Sequence, residues 1–452
     1  MAQSNEAIAR YNRILESEEL RDGSWISSLH EKLKEAHLYS GGRPVSPVLR
    51  PHFITSRQYA NLIKVSEALY GAIDRTEKLA LDNPALMSRM QMLPAEKLLA
   101  SINPGYSYMA VTALLDTHIN NGSLHVLGYQ ADTPAGVIYG EALNNVFYEA
   151  EPVRELRKKY KLTKVGGTKP LVESILKAYG EFGGRSKNPN IGILEFRQPF
   201  QSADLGESQL LAEFFRQEGY ATEVVTPDQL EYRNGVLRKG AFQIDVIYRR
   251  VRVSEFLVRF DLNQPLVRAY RERAVCVVNS FRSELAQKRA IFDLLTDDRI
   301  TRDFPAAERK AVRDFIPWTR VVSATKTTHN DEEIDLLDFI RKNREKLVLR
   351  PNDGSDERTY IGAELDEASW DRAMKQALRS SYVVQEVVPP NTGVFPVLRF
   401  GQIEMQELVV DVHPHSFLGK VEGCSTWVKP VETRGFSSVT GLAPTFIIDP
   451  KV

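Results

Sequence analysis

A short apolar stretch that runs directly into a polar, glycine-containing loop is the feature that most constrains how this chain can fold. Residues 346–350 (KLVLR) have the composition of a buried strand, and residues 350–362 (RPNDGSDERTYIG) follow at once. A cation at a strand end with glycine in the next turn can cradle a triphosphate, because backbone N–H groups face the phosphates and the cation offsets their charge. A β-hairpin with a polar loop is the alternative interpretation.

A second strand with a polar centre follows this loop. Residues 381–388 read SYVVQEVV, and Gln385 and Glu386 lie in the middle of the apolar stretch. Amide and carboxylate groups on a buried strand can hydrogen-bond the polar edge of adenine. Apolar spacing also predicts helices at residues 56–80, around 284–296, at 331–344 and at 370–379.

The middle of the chain has the pattern of a βαβ unit. Residues 190–196 (NIGILEF) form a short apolar run, residues 208–218 have helical spacing and end at a glycine, and residues 221–225 and 243–248 are again strand-like. Strands that alternate with a helix at this spacing favour a parallel sheet.

Two strands joined by the turn sequence NNG are predicted at residues 106–116 and 124–130. Asp116 and Gln130 would then lie on adjacent strands, and their oxygens are hard ligands that suit Mg²⁺. The alternative is that residues 132–134 (DTP) only cap the helix that follows. That helix is predicted at 136–160.

Two further groups of polar residues have open interpretations. Arg249 and Arg250 end a strand, and because neighbouring strand residues point to opposite faces, one guanidinium could enter a cleft and bind a carboxylate. His413 and His415 alternate on a strand and share a face, either as a metal or substrate pair or as part of a polar strand surface.

Composition excludes several classes of function. Lys and Arg number 59 and Asp and Glu number 59, so the formal net charge is zero. That balance argues against a nucleic-acid or membrane-surface partner. The two cysteines fit a reducing compartment. With no secretory pattern and no long apolar run, we expect a cytoplasmic protein.

The motifs, taken together, resemble those of a circularly permuted ATP-grasp family related to glutathionylspermidine synthase, over residues 55–450. The matching segments, in chain order, are LLDTHINNGSLHVLGYQADTPAG (114–136), IDVIYRRV (244–251), LVRAYRERAVCVVNSFRSELAQKRAIFDLL (266–295), RPNDGSDERTYIG (350–362), VVQEVV (383–388), VVDVHPHSFLGKVEGCSTW (409–427) and SSVTGLAPTFII (437–448). Their number and order carry the resemblance.

The resemblance implies an α/β chain in four parts. These are an N-terminal helical extension (1–54), a permuted core segment with the metal strand (55–185), a Rossmann-like pre-ATP-grasp domain (186–280) and the nucleotide-binding subdomains (281–452). It implies a ligase that uses ATP and Mg²⁺ to join a carboxylate to an amine on a small peptide, amino acid or polyamine-like substrate. A second copy or a paralogous chain is a candidate partner.

The resemblance also assigns roles to individual residues. The implied ligands of Mg²⁺ are Asp116 and Gln130, the implied nucleotide contacts are Lys288, Arg350, Asp353, Gly354, Ser355, Gln385 and Glu386, and the implied holders of the substrate carboxylate are Arg249 or Arg250.

Several positions depart from the family pattern. Gly128 replaces a metal-binding glutamate, Gln130 replaces an asparagine, and Arg350 replaces the loop lysine. Asp356 and Glu357 stand where the family has two glycines, so two carboxylates would face the triphosphate. An inactive ATP-grasp protein that acts as a binding or scaffold subunit is therefore the alternative function.

Overall fold

The computed structural model describes residues 2–18, 20, 23–120, 123–196, 206–354, 358–431 and 439–451. The helices in this part of the chain are α1 (Ala2–Leu15), α2 (Ser24–Glu35), α3 (Ser56–Asp82), α4 (Pro84–Arg89), α5 (Pro94–Ser101), α6 (Val137–Tyr148), α7 (Glu151–Arg157), α8 (Thr168–Phe182), α9 (Glu207–Gln217), α10 (Val253–Arg259), α11 (Pro265–Arg271), α12 (Glu284–Gln287), α13 (Ala290–Leu295), α14 (Asp298–Thr301), α15 (Ala306–Phe315), α16 (Leu336–Lys342) and α17 (Glu367–Arg379).

The strands of the same residues are β1 (Tyr39–Ser40), β2 (Arg43–Pro44), β3 (His52–Thr55), β4 (Thr112–Asn120), β5 (Ser123–Gln130), β6 (Tyr160–Lys164), β7 (Ile191–Leu194), β8 (Thr222–Val225), β9 (Glu231–Arg233), β10 (Val236–Lys239), β11 (Phe242–Gln243), β12 (Val246–Arg249), β13 (Cys276–Val278), β14 (Thr319–Val321), β15 (Lys326–His329), β16 (Glu332–Asp335), β17 (Leu347–Pro351), β18 (Tyr360–Ile361), β19 (Tyr382–Glu386), β20 (Thr392–Arg399), β21 (Gln402–Phe417), β22 (Lys420–Pro430), β23 (Gly441–Ala443) and β24 (Thr445–Pro450).

An antiparallel sheet lies at the centre of the molecule, with the strand order β23-β22-β21-β4-β5 and with β20 also paired to β21. It joins the early strands β4 and β5 to strands from the last quarter of the chain. Val412 on β21 pairs with Thr117 on β4, and Asp116 pairs with Gly128 on β5. This register brings polar residues from distant parts of the sequence onto neighbouring strands.

Helix α3 covers one face of this sheet. Its N-cap residue is Thr55, whose side chain accepts a hydrogen bond from the backbone N–H of Gln58 in a capping box. Buried side chains then recur at helical spacing, including Leu62, Leu69 and Ile73. They share a hydrophobic core with strands β4 and β21, and the predicted helix at 56–80 is confirmed.

A second, parallel sheet has the order β13-β12-β7-β8. All three of its strand pairs are parallel, and helix α9 connects β7 to β8. The four residues of β7 are all buried, as expected for a strand covered on both faces. The predicted strand, helix and strand around residues 190–225 are therefore confirmed.

The third sheet is antiparallel, with the order β14-β19-β17-β18. Strands β17 and β18 flank the loop that begins at Asn352. Helix α17 covers this sheet through Trp370, which is fully buried and packs with Leu349 and Val384. The predicted strands at 346–350 and 382–388 are confirmed within two residues of their ends.

Several predicted elements were wrong in extent. The helix predicted at 331–344 begins only at Leu336, because residues 332–335 form strand β16. The helix predicted at 136–160 is divided into α6 and α7, because Ala150 is extended and Pro152 lies in the first turn of a new helix. The chain then enters β6, which pairs with β24. The first predicted strand, 106–116, instead runs as β4 from Thr112 to Asn120.

None of the helices in the described part of the chain combines the length and the apolar character that a membrane crossing requires.

Candidate functional site

A polar pocket of about 270 Å³ lies on the central sheet. Its walls come from strands β4, β5, β21 and β22 and from the segment after β5. The lining residues are Leu114, Asp116, Gln130, Ala135, Asp411, His413, Trp427, Val428, Lys429 and Thr440. The structure thus places Asp116 and Gln130, which were predicted as metal ligands on adjacent strands, in one pocket.

Carboxylates in and beside this pocket are paired with histidine and lysine side chains. Oδ1 of Asp116 lies 3.2 Å from Nε2 of His413, and Oδ1 of Asp411 lies 2.7 Å from Nε2 of His118. The other oxygen of Asp411 lies 2.8 Å from Nζ of Lys429. Burial raises the pKa of Asp116, but the hydrogen bond with His413 and the nearby positive charges lower it more, so the net pKa lies well below the ordinary value.

His413 and His415, which were predicted to share a strand face, have different roles. His413 contacts Asp116, whereas His415 is buried and its Nε2 lies 2.9 Å from Oγ of Ser425. Burial and the charge of His413 lower the pKa of His415 to about 3, so this imidazole is neutral. The sequence reasoning missed His118, Asp411 and Lys429; the alternation of Asp411 with His413 was the available signal.

The donors of the pocket fit Mg²⁺ when phosphate oxygens complete its shell. Magnesium takes oxygen ligands and is usually held by one or two carboxylates together with substrate phosphates. Asp116 and Gln130 supply such oxygens on adjacent strands. Gly128, directly opposite Asp116, adds no donor, and a Cβ at that position would lie 3.3 Å from Cβ of Asp116.

The segment after β5 joins the pocket to the end of the parallel sheet. Asp132 is buried in an ion pair with Arg249 and also accepts a hydrogen bond, 2.8 Å long, from the N–H of Val253. It does not cap α6, whose N-cap residue is Gly136 with no side-chain cap. The interpretation of Asp132 as the cap of the following helix was therefore wrong.

Arg249 and Arg250 differ in their surroundings. Arg249 is 1% exposed, and besides Asp132 its guanidinium contacts the carbonyl oxygens of Asn279 and Ser280 and the hydroxyl of Ser283. These contacts leave Arg249 no open face for a substrate carboxylate, so of the two arginines Arg250 stays the candidate, and its role stays a prediction.

Arg250 lies nearer to the pocket. Its guanidinium contacts Oε2 of Glu207 at 2.6 Å and the carbonyl oxygen of Pro134 at 3.3 Å. Ala135, which follows Pro134, lines the pocket, so Arg250 stays a candidate for substrate binding. To bind a substrate carboxylate, its guanidinium would have to release Glu207.

Lys288 is enclosed by the carboxyl groups of two glutamates. Its Nζ lies 2.9 Å from Oε1 of Glu96 and 2.7 Å from Oε1 of Glu284, and all three side chains are buried. Burial and the neighbouring negative charges of Asp132 and Glu96 raise the pKa of Glu284 to about 8 despite Lys288. Phosphate binding by Lys288 stays a prediction, and it requires the ammonium to leave these partners.

The start of the predicted nucleotide loop is fixed to the segment that contains Lys288. The carbonyl oxygen of Asn352 accepts from N–H of Arg289 at 3.0 Å, and its side-chain oxygen accepts from N–H of Ala290 at 2.8 Å. Gly354 has a φ of +78°, and a Cβ there would lie 2.5 Å from Nε2 of Gln287. The positive φ therefore favours glycine, and a larger residue would also have to displace the side-chain amide of Gln287.

The remaining predicted loop residues have the following positions. Arg350 is the last residue but one of β17 and pairs with Val383, and Asp353 precedes Gly354 in the turn. Ser355, Asp356 and Glu357 lie outside the described residues. The structure therefore brings Lys288 and the start of the loop together, but it does not test whether the loop carboxylates face a nucleotide.

Gln385 and Glu386 lie on β19, between β14 and β17. Gln385 is 1% exposed, and its Nε2 donates to Oγ1 of Thr319 at 3.0 Å. Glu386 is more open and lies 3.0 Å from Nε2 of His329. Their role in adenine recognition stays a prediction.

The sequence matches no protein-family model and no curated protein. The fold is similar to that of a glutathione synthetase-like effector (GSS30) from Globodera pallida in its apo form, with a TM-score of 0.57, 12% identity, and coverage of 94% of this chain and 96% of that chain. A second structure, a candidate γ-glutamylcysteine synthetase from Methylobacillus flagellatus, gives a TM-score of 0.41 and 13% identity over 87% of each chain.

At 12% sequence identity, the similarity to this structure is evidence about the fold alone. The chain shares the fold of a glutathione synthetase-like protein along nearly its whole length, which agrees with the expectation of an ATP-grasp-like ligase fold. The circular permutation stays a prediction.

Proposed function

We propose that the chain is an ATP-dependent ligase that joins a carboxylate to an amine on a small peptide, amino acid or polyamine-like substrate. The observation that supports this proposal is the pocket in which Asp116 and Gln130 meet Asp411 and Lys429, in a fold similar to that of a glutathione synthetase-like protein. Asp116 on β4 and Gln130 on β5 supply the side-chain oxygens that were predicted to bind one Mg²⁺ ion.

In such a ligase the γ-phosphoryl group of ATP is transferred to a substrate carboxylate, which gives an acyl phosphate and ADP. The amine then attacks the acyl carbon, loses a proton and displaces phosphate, so that an amide forms. Mg²⁺, when bound, would neutralise phosphate charge. Asp116 and Gln130 would hold it, Lys429 would offset further negative charge, and the walls of the pocket would orient the reactants.

Thermal unfolding tests this proposal directly. A ligand bound only by the native state stabilises it, by about 2.7 kcal/mol at a concentration 100 times its dissociation constant. We therefore expect millimolar MgATP to raise the Tm of the full chain, and Asp116→Asn to abolish the increase. Asp314→Asn, the same chemical change at an ion pair on α15 away from the pocket, should preserve it. An unchanged Tm of the wild type would contradict ATP binding.

A binding or scaffold subunit without turnover is the second candidate function. One observation favours it: the ammonium of Lys288, assigned to phosphate by the family resemblance, is held by Glu96 and Glu284. Under this alternative, MgATP leaves the Tm unchanged in the wild type. A Tm increase together with ADP formation in the presence of an amino-acid or peptide substrate would reject it.

A further inference from the structure

We propose that Asp116, His118 and Asp411 form a binding site for a divalent transition-metal cation such as Zn²⁺, with His413 as a fourth donor. One ligand atom from each of the first three residues lies within 4.8 Å of the others. Zinc bonds to nitrogen and oxygen are about 2.0–2.2 Å long, so small side-chain rotations would bring these atoms around one ion.

The backbone explains why these side chains converge. Asp116 and His118 are two residues apart on β4, and Asp411 and His413 are two residues apart on β21, so each pair faces one side of the sheet. The pairing of Val412 with Thr117 sets the two pairs side by side. The site is thus built on two hydrogen-bonded strands, which hold ligands more firmly than a loop does.

The second ring nitrogen of His118 is unpaired among the described residues. Nε2 of His118 lies 2.7 Å from Oδ1 of Asp411, and within the described part of the chain Nδ1 of His118 has no hydrogen-bond partner. Asp116, His118 and Asp411 therefore present oxygen and nitrogen atoms to one another, as the ligands of a shared cation do. Lys429 contacts the other oxygen of Asp411 and, being half exposed, can turn toward solvent.

The chemistry of the donors selects the metal. Imidazole nitrogen suits zinc and its neighbours, whereas Mg²⁺ prefers oxygen ligands and water. A set of two imidazoles and two carboxylates therefore favours Zn²⁺ or Co²⁺ when no nucleotide is present. This inference goes beyond the ligase proposal, because either can fail while the other holds.

Co²⁺ provides a spectroscopic test in the full-length, untagged chain without nucleotide. We expect saturable binding of one Co²⁺ with visible d–d absorption, displacement by Zn²⁺, and no displacement by millimolar Mg²⁺. Both cysteines are buried and outside the pocket, so no thiolate contribution is expected. His118→Gln should weaken binding by more than about tenfold, since even outer-shell partners of a metal contribute about 10- to 100-fold.

Two further variants make the result decisive. Asp116→Asn alters a side chain that is 31% exposed, so it tests the site if His118→Gln fails to fold, and it should weaken Co²⁺ binding similarly. His329→Gln is the matched control, because His329 also pairs with a carboxylate, Glu386, but outside the pocket. Absence of saturable Co²⁺ binding, or wild-type affinity in folded His118→Gln or Asp116→Asn, would overturn the proposal.

Discussion

At the scale of single residues, Glu284 is a buried carboxylic acid whose charge is opposed by its surroundings. Its pKa is raised from 4.5 to about 8, first by burial and then by Asp132 and Glu96, with Lys288 acting in the opposite direction. The folded chain therefore keeps this proton up to about pH 8, whereas the unfolded chain releases it near pH 4.5. Since folding retains a proton in this window, stability falls as the pH rises through it.

Glu284→Gln should remove this pH dependence, because the amide keeps the shape of the protonated acid and cannot ionise. We expect a Tm near that of the wild type at pH 5 and a stabilisation of about 1–3 kcal/mol at pH 8.5. Melting curves at pH 5, 7 and 8.5 measure the difference. Glu404→Gln, at an exposed and loosely paired carboxylate, is the control. A Glu284→Gln variant that is less stable than the wild type at pH 8.5 would contradict the raised pKa.

The placement of Asp116 and Gln130 on adjacent strands was predictable, because a recognisable turn joins the two strands. Sequence reasoning missed their partners because those partners depend on register between distant segments: His413 lies 297 positions after Asp116. Lys288 shows the same limit. A lysine before a helix fits a phosphate contact, and only the fold reveals that Glu96, 192 positions earlier, binds it.

At the scale of elements, Asn279 connects the parallel sheet to the central one. It follows β13, and its side-chain oxygen accepts from N–H of Val111 and Thr112 at 2.8 and 3.1 Å. Its amide donates to the carbonyl oxygens of Thr112 and Ala131. One buried side chain thus satisfies backbone groups at the start of β4 and just after β5, and so aligns the two strands that carry Asp116 and Gln130.

Asn279→Ala should strongly destabilise the fold, because it leaves several buried backbone groups unpaired at about 1–3 kcal/mol each. We expect the free energy of unfolding in urea to fall by about 3–5 kcal/mol. Asn343→Ala, which removes one local hydrogen bond to the carbonyl oxygen of Phe339, should cost about 1 kcal/mol or less. Equal losses in the two variants would show that Asn279 does not join the sheets.

Helices and strands were predictable where the nearby sequence alone determines them. Helix α3 has a capping box and unbroken apolar spacing, and it was found nearly to its ends. The helix predicted around 284–296 is instead interrupted between α12 and α13, where Asn352 pairs with the N–H groups of Arg289 and Ala290. That break depends on a residue some sixty positions away, so helical periodicity could not reveal it.

At the scale of the whole molecule, the N-terminal helices belong to a shared hydrophobic core. Trp25 and Leu29 of α2 are buried with Phe147 of α6 and with Phe446 of β24. Tyr11 of α1 is fully buried, and its hydroxyl donates to the carbonyl oxygen of Leu49 at 2.8 Å. From the sequence, these helices were predicted to be an N-terminal extension. Amphipathic spacing shows that one face of a helix is buried, but it does not identify the residues that bury it.

Hydrogen exchange should therefore show α2 opening together with the core. Amides of an independently attached helix exchange through local fraying, whereas those of a helix packed into a common core exchange only in larger openings. We expect protection in residues 26–35 to approach that of β21. Leu29→Ala, which removes a side chain that is 3% exposed, should destabilise the fold by about 2–5 kcal/mol and lower protection in β24 as well as in α2. Loss of protection confined to α2 would mean that this helix is only attached to the surface of the fold. Glu31→Ala, at an exposed position on the same helix, should leave both elements unchanged.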